Sequence, residues 1–160
     1  MARYAEKTEV STEASKAEIE RTLSRYGATS FMYGWRDKQA VVSFTYRDRT
    51  IRLLLTLPDK AADEYKWRRH GAHGRAVRTS EQITAAWEQD CRRSWRALAL
   101  VIKAKLEAVE TGIATFEDEF LAYTMLPGGR TVSEEITPTV ARALAAGSVP
   151  ALLPRFEEAR

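Results

Sequence analysis

The chain has a single cysteine, Cys91, among 160 residues, so no internal disulfide can form and a reducing compartment is expected. Histidine is almost as scarce. His70 and His73 lie three residues apart in one polar stretch, and from there they cannot complete a Ser-His-Asp relay. No glycine-rich phosphate loop follows a strand pattern, and there is no internal repeat or low-complexity tract. No apolar run approaches the roughly 18 residues of a membrane span, and Met1 to Val10 lacks the hydrophobic core of a signal peptide. These absences predict a cytoplasmic protein without membrane contact, metal or cofactor. They give no reaction an address, so a non-enzymatic role is the expectation.

One further absence is local. No acidic residue occurs between Glu64 and Glu81, while Lys66, Arg68, Arg69, Arg75 and Arg78 fall within 13 residues, with Tyr65 and Trp67 beside them. The net charge of +3 hides this asymmetry, because residues 1–64 sum to +1, 65–114 to +5 and 115–160 to −3. Cations interleaved with aromatic rings attract phosphates and stack on bases. The same composition also describes a solvated loop.

The periodicity is that of one α+β domain over residues 11–160, preceded by a flexible tail at 1–10. Ser11 or Thr12 caps a helix carrying Ile19, Leu23 and Tyr26, and Gly27 ends it. The period then changes to 2. Phe31, Tyr33 and Trp35, then Val42, Phe44 and Tyr46, then Ile51, Leu53, Leu55 and Leu57 predict a three-stranded antiparallel meander with one apolar face. Pro58 closes the third strand, and residues 59–79 read as a long basic loop with a possible helical turn at Ala61 to Tyr65. Thr79 and Gln82 have capping-box spacing, opening a helix to about Thr111 that would be roughly 45 Å long.

On that helix Ile83, Trp87, Leu98, Val101, Ile102, Leu106 and Val109 share an apolar sector, whereas Arg92, Arg96 and Lys103 form a basic ridge. Ile102, Leu106 and Val109 are a dimer seam if the chain leaves them uncovered, which makes a homodimer through the long helix an expectation. A small helical C-terminal extension follows, with a short helix at Phe116 to Tyr123, a turn or hairpin at Leu126 to Arg130, and a last helix capped by Thr137, with Pro138 at its first position and Gly147 at its end.

The run Ala97-Leu98-Ala99-Leu100-Val101-Ile102-Lys103-Ala104-Lys105-Leu106-Glu107-Ala108-Val109-Glu110, followed by Phe116-Glu117 and by Leu126-Pro127-Gly128-Gly129-Arg130-Thr131-Val132, resembles a family of small uncharacterised proteins of bacteriophages, prophages and mobile elements, mainly of high-GC bacteria. The likeness reaches back to Glu18 to Gly34. It implies a context, the handling of DNA or interference with a host system, and transfers no catalytic residue.

Three enzyme-like or fold-like patterns are weaker. Pro58-Asp59 with Glu64-Tyr65-Lys66 spells a metal-dependent nuclease signature, but four residues leave no room for the strand that would bring Asp59 and Glu64 together. His70 and His73, with Cys91 or Asp90, make an incomplete metal set. The order helix, three strands, helix is that of a double-stranded RNA-binding domain, but the second helix opens on Glu81 and Gln82, which repel phosphate. The sequence therefore predicts a nucleic-acid-binding accessory protein, DNA favoured, with Lys66, Arg68, Arg69, Arg75, Arg78, Arg92, Arg96 and Lys103 on phosphates and Trp67 stacking. The alternative is a module that presents the same arginines to an acidic host protein and modulates or inhibits it.

Overall fold

The computed structural model describes residues 8–36, 38–70 and 74–148. Most of the expected tail, residues 1–7, lies outside them. Helix α1 (Thr12–Arg25) starts where the Ser11 hydroxyl accepts from the Ala14 N–H, and the chain leaves it through Gly27 at φ 89°. That left-handed conformation costs a residue without a Cβ little.

Strands β1 (Ala28–Arg36), β2 (Gln39–Tyr46) and β3 (Arg49–Thr56) form the antiparallel meander in the order β1-β2-β3. The register sets Phe31 opposite Phe44 and Phe44 opposite Ile51, then Tyr33 opposite Val42 and Val42 opposite Leu53. One face therefore carries every expected apolar residue. Its middle is sealed, with Val42, Phe44 and Ile51 almost fully buried, but the β1 side is open, leaving Tyr33 and Trp35 exposed.

Helix α3 (Ser80–Glu110) spans 31 residues with the Thr79/Gln82 capping box in place, and it packs with α1 over the sheet. Trp95, Leu98, Ile102 and Leu106 join Ile19 and Leu23 in the core. Ile102 and Leu106 are 0% and 2% exposed and Val109 packs on the same cluster, so this seam is closed within the chain. Val101, expected in the apolar sector, instead stands 46% exposed on an outward strip with Ala97, Leu100 and Ala104, a phase hard to read because alanine signals either side of a helix. Helix α4 (Phe116–Phe120) closes the core from below. Phe120 meets Phe44 edge-on with ring centroids 5.8 Å apart, and Phe116 stacks on Tyr46 at 4.4 Å. No helix among the described residues is long and apolar enough to cross a membrane.

The last helix, α5 (Val132–Ala146), starts six residues before the expected proline. Thr131 and Glu134 form a capping box, and Pro138 lies inside the helix. A proline there removes the N–H that would have met the carbonyl four residues back. That carbonyl belongs to Glu134, and the Arg130 guanidinium donates to it at 2.6 Å. The substitute donor comes from the Leu126 to Arg130 turn, where Gly128 and Gly129 take φ of 103° and 84°. Arg52 ties the same turn to the sheet through the Gly129 carbonyl at 2.9 Å and the Glu134 carboxylate at 2.6 Å.

No residue of α5 is buried, so its stability is local. Pro138→Ala should slow amide exchange along α5 by up to about a hundredfold, since an interior proline costs about 3 kcal/mol, while the global unfolding midpoint stays put. Unchanged exchange would mean that Arg130 fully compensates.

Candidate nucleic-acid interface

Residues 59–79 were expected as a loop without period, but the structure folds them. Helix α2 (Asp63–Lys66), the expected turn, leads into strand β4 (Trp67–His70), which pairs antiparallel with β5 (Gly74–Val77). None of the ribbon's described side chains is buried, so no apolar alternation announced it.

Its base is pinned from two sides. Tyr65, 3% exposed, donates its hydroxyl to the Asp90 carboxylate of α3 at 2.6 Å. Burial first, and that hydrogen bond second, push the Tyr65 hydroxyl well above the usual tyrosine pKa, so it stays protonated and donating. Asp90 is also paired with Arg93 at 3.0 Å. From the other strand, Arg78 donates to the carbonyls of Glu64 and Tyr65 at 3.3 and 3.4 Å, while its own N–H meets the Lys66 carbonyl at 2.9 Å. Arg78 thus closes the ribbon's base and caps α2.

Beyond the base the register places Trp67 opposite Val77, Arg68 opposite Ala76, Arg69 opposite Arg75 and His70 opposite Gly74. Like charges at directly opposite positions destabilise a two-stranded pair unless an anion lies near. Arg68 and Arg75 are exposed and have no ion-pair partner among the described residues. They share a concavity of about 420 Å³ with Trp67, 45% exposed, and with Asp63 and Glu64 of α2. Lys66 pairs with Asp63 at 2.7 Å, which offsets one of the two flanking acids. The side chains of Arg69 and His70, and all of His73, lie outside the described residues. No group of three metal-ligating side chains occurs among those described.

The other expected phosphate ligands lie on α3. Arg96 is paired with Glu18 of α1, and both are partly buried. Arg92 donates to the Gln89 side-chain carbonyl at 2.6 and 3.1 Å. Lys103 is exposed beside the outward apolar strip. The partners of Arg92 and Arg96 are on α3 and α1, not on the ribbon. The nuclease pattern also has its carboxylates elsewhere. Asp59 is engaged by Lys38 and by the Ala61 N–H, which hold its pKa below the usual range, and Glu64 sits in a helix.

A second concavity escaped the sequence reading. A cleft of about 620 Å³ opens between α1, β1 and α3, with Trp35, Trp87 and Trp95 in its wall and Lys16 and Arg92 beside them. The spacing of Trp87, Cys91 and Trp95 at i, i+4, i+8 was a legible signal, but it reads equally as core. Cys91 lines the cleft as well, and burial first, then the carboxylates of Asp90 and Glu88, push its thiol pKa above the ordinary value. Comparison with family models, with curated proteins and with solved structures returned no match for this chain.

Proposed function

We propose that the protein is a non-enzymatic nucleic-acid-binding accessory protein, DNA favoured, of the phage or mobile-element kind, and that the β4–β5 ribbon is its contact. The observation that carries the reading is a free-standing two-stranded ribbon with Arg69 set opposite Arg75 and exposed Trp67 and Arg68 beside them. A two-stranded ribbon fits the major groove, which is about 12 Å wide. Four residues per strand reach about 13 Å, enough to cross it. A phosphate would meet the exposed Arg68 and Arg75, which have no ion-pair partner among the described residues, and the indole supplies a face on which any base stacks.

The test is fluorescence anisotropy with matched single- and double-stranded DNA and RNA across a salt series. Micromolar binding is expected at low ionic strength, with affinity falling steeply as salt rises. Absence of binding even at low salt would transfer the role to a protein partner. That second reading has its own support in the exposed apolar side chains of α5, where Leu144 is 79% exposed and Val140 42%.

A further inference from the structure

We infer that the cleft between α1, β1 and α3 is a binding site for a single nucleotide, a flat heteroaromatic base joined to an anionic group. Its volume of about 620 Å³ lies in the range of small-molecule sites. Its walls are flat rings held at different depths. Trp95 is the floor at 4% exposure, Trp87 is fixed by an Nε1 hydrogen bond to the Pro58 carbonyl at 2.9 Å, and Trp35 stands at the rim at 72% exposure. An indole that open to water on an edge strand gains nothing from the fold, whereas a planar ligand would cover it.

The charges choose among planar ligands. Lys16 and Arg92 both line the cleft without a carboxylate partner among the described residues. The Lys16 ammonium sits 4.9 Å from the Trp95 ring centroid and 5.0 Å from that of Tyr33, and the Arg92 guanidinium meets only the neutral Gln89 amide. The first turn of α1, at Ser11, Thr12 and Glu13, borders the same space. Two unpaired cations near a helix start favour an anion. Glu13 and Glu88 also line the cleft, so a bare phosphate would find the attraction offset. An aromatic cation would meet Lys16 and Arg92, and an uncharged hydrocarbon would desolvate all four charges for no return. A nucleotide uses every feature, with the base against the indoles, its exocyclic N–H groups donating to a carboxylate, and its phosphate toward Lys16 and Arg92.

This site is separate from the ribbon and does not rest on it. The ligand chemistry has two sources, a free nucleoside monophosphate or the phosphorylated end of a strand. Calorimetric titration of the full chain with the four ribonucleoside 5′-monophosphates, their nucleosides and inorganic phosphate tests the inference. At least one monophosphate should bind saturably below millimolar, with its nucleoside weaker by about tenfold or more and phosphate alone giving no signal. Trp35→Ala should weaken binding by about tenfold, the scale of one stacking contact, and Lys16→Gln by about tenfold, the scale of one hydrogen bond to a charged group. Trp35 is exposed, so its variant keeps the fold, and circular dichroism verifies this. In an Arg68→Ala/Arg75→Ala background, competition by a 5′-phosphorylated oligonucleotide but not by its unphosphorylated form assigns the site to strand ends, whereas no competition assigns it to free nucleotide. Failure of the ribbon would leave the mononucleotide isotherm unchanged. No saturable binding of any monophosphate at millimolar concentration, or binding that Trp35→Ala and Lys16→Gln leave intact, overturns the inference.

Discussion

Phe120→Ala should lower the unfolding free energy by about 3–5 kcal/mol, the range for removing a buried phenylalanine whose surroundings cannot collapse. Phe120 is 0% exposed, and its ring is held on two sides, edge-on by Phe44 and face-on by Phe116 at 4.7 Å. The Lys105 ammonium also lies 5.8 Å from the ring centroid. These contacts tie the sheet, α3 and α4 together at one point, so the vacancy opens where three elements meet. For a domain of this size each kcal/mol shifts the midpoint by about 2–4 °C, so a fall of about 10 °C is the readable outcome. Leu144→Ala is the control. Leu144 is 79% exposed on α5, and its loss should move the midpoint by no more than a degree or two. A loss below about 1 kcal/mol for Phe120→Ala would mean that α4 is peripheral to the cooperative unit.

The elements that sequence reading found are those whose signals are local. Ser11, Gly27 and the Thr79/Gln82 pair act within one turn of the backbone, and alternation in β1 to β3 follows from one buried face. Two elements escaped for stated reasons. None of the ribbon's described side chains is buried, so its residues follow no apolar period. The expected cap of α5, Thr137 before Pro138, gives way to a Thr131/Glu134 capping box six residues earlier, and Arg130 supplies the donor that Pro138 lacks.

The candidate site divides in the same way. Trp67, Arg68 and Arg75 are together and exposed as their composition suggested, since a solvent-facing segment needs no distant partner to place it. Arg78 and Arg96 were read as phosphate ligands because only charge was visible. Their actual partners are the carbonyls at the end of α2 and Glu18 of α1, which only the tertiary fold brings to them. The cleft of tryptophans was illegible for the same reason, because Trp35 reaches Trp87 and Trp95 only once the β1 side of the sheet is left uncovered beside α1.

Arg68→Ala combined with Arg75→Ala should weaken binding to nucleic acid by about 10- to 100-fold at low salt and cut the salt slope by close to 2. Each arginine that neutralises a phosphate releases about 0.9 of a counterion on B-DNA, so two lost contacts lower the slope by about 1.8 whatever the sequence bound. The pair is chosen because neither side chain has an ion-pair partner among the described residues and both are exposed. Their removal should therefore leave the fold intact, and it relieves the opposition of Arg75 to Arg69. Stability should hold or rise slightly, so weaker binding cannot be blamed on unfolding. Arg96→Ala supplies the opposite pattern. It breaks a partly buried pair with Glu18 between two packed helices, so it should cost stability while leaving the salt slope unchanged. If the double variant keeps the wild-type slope, the ribbon is not the contact. If Arg96→Ala instead lowers the slope, the anion meets the α1–α3 flank, and the basic ridge read from the sequence regains its role.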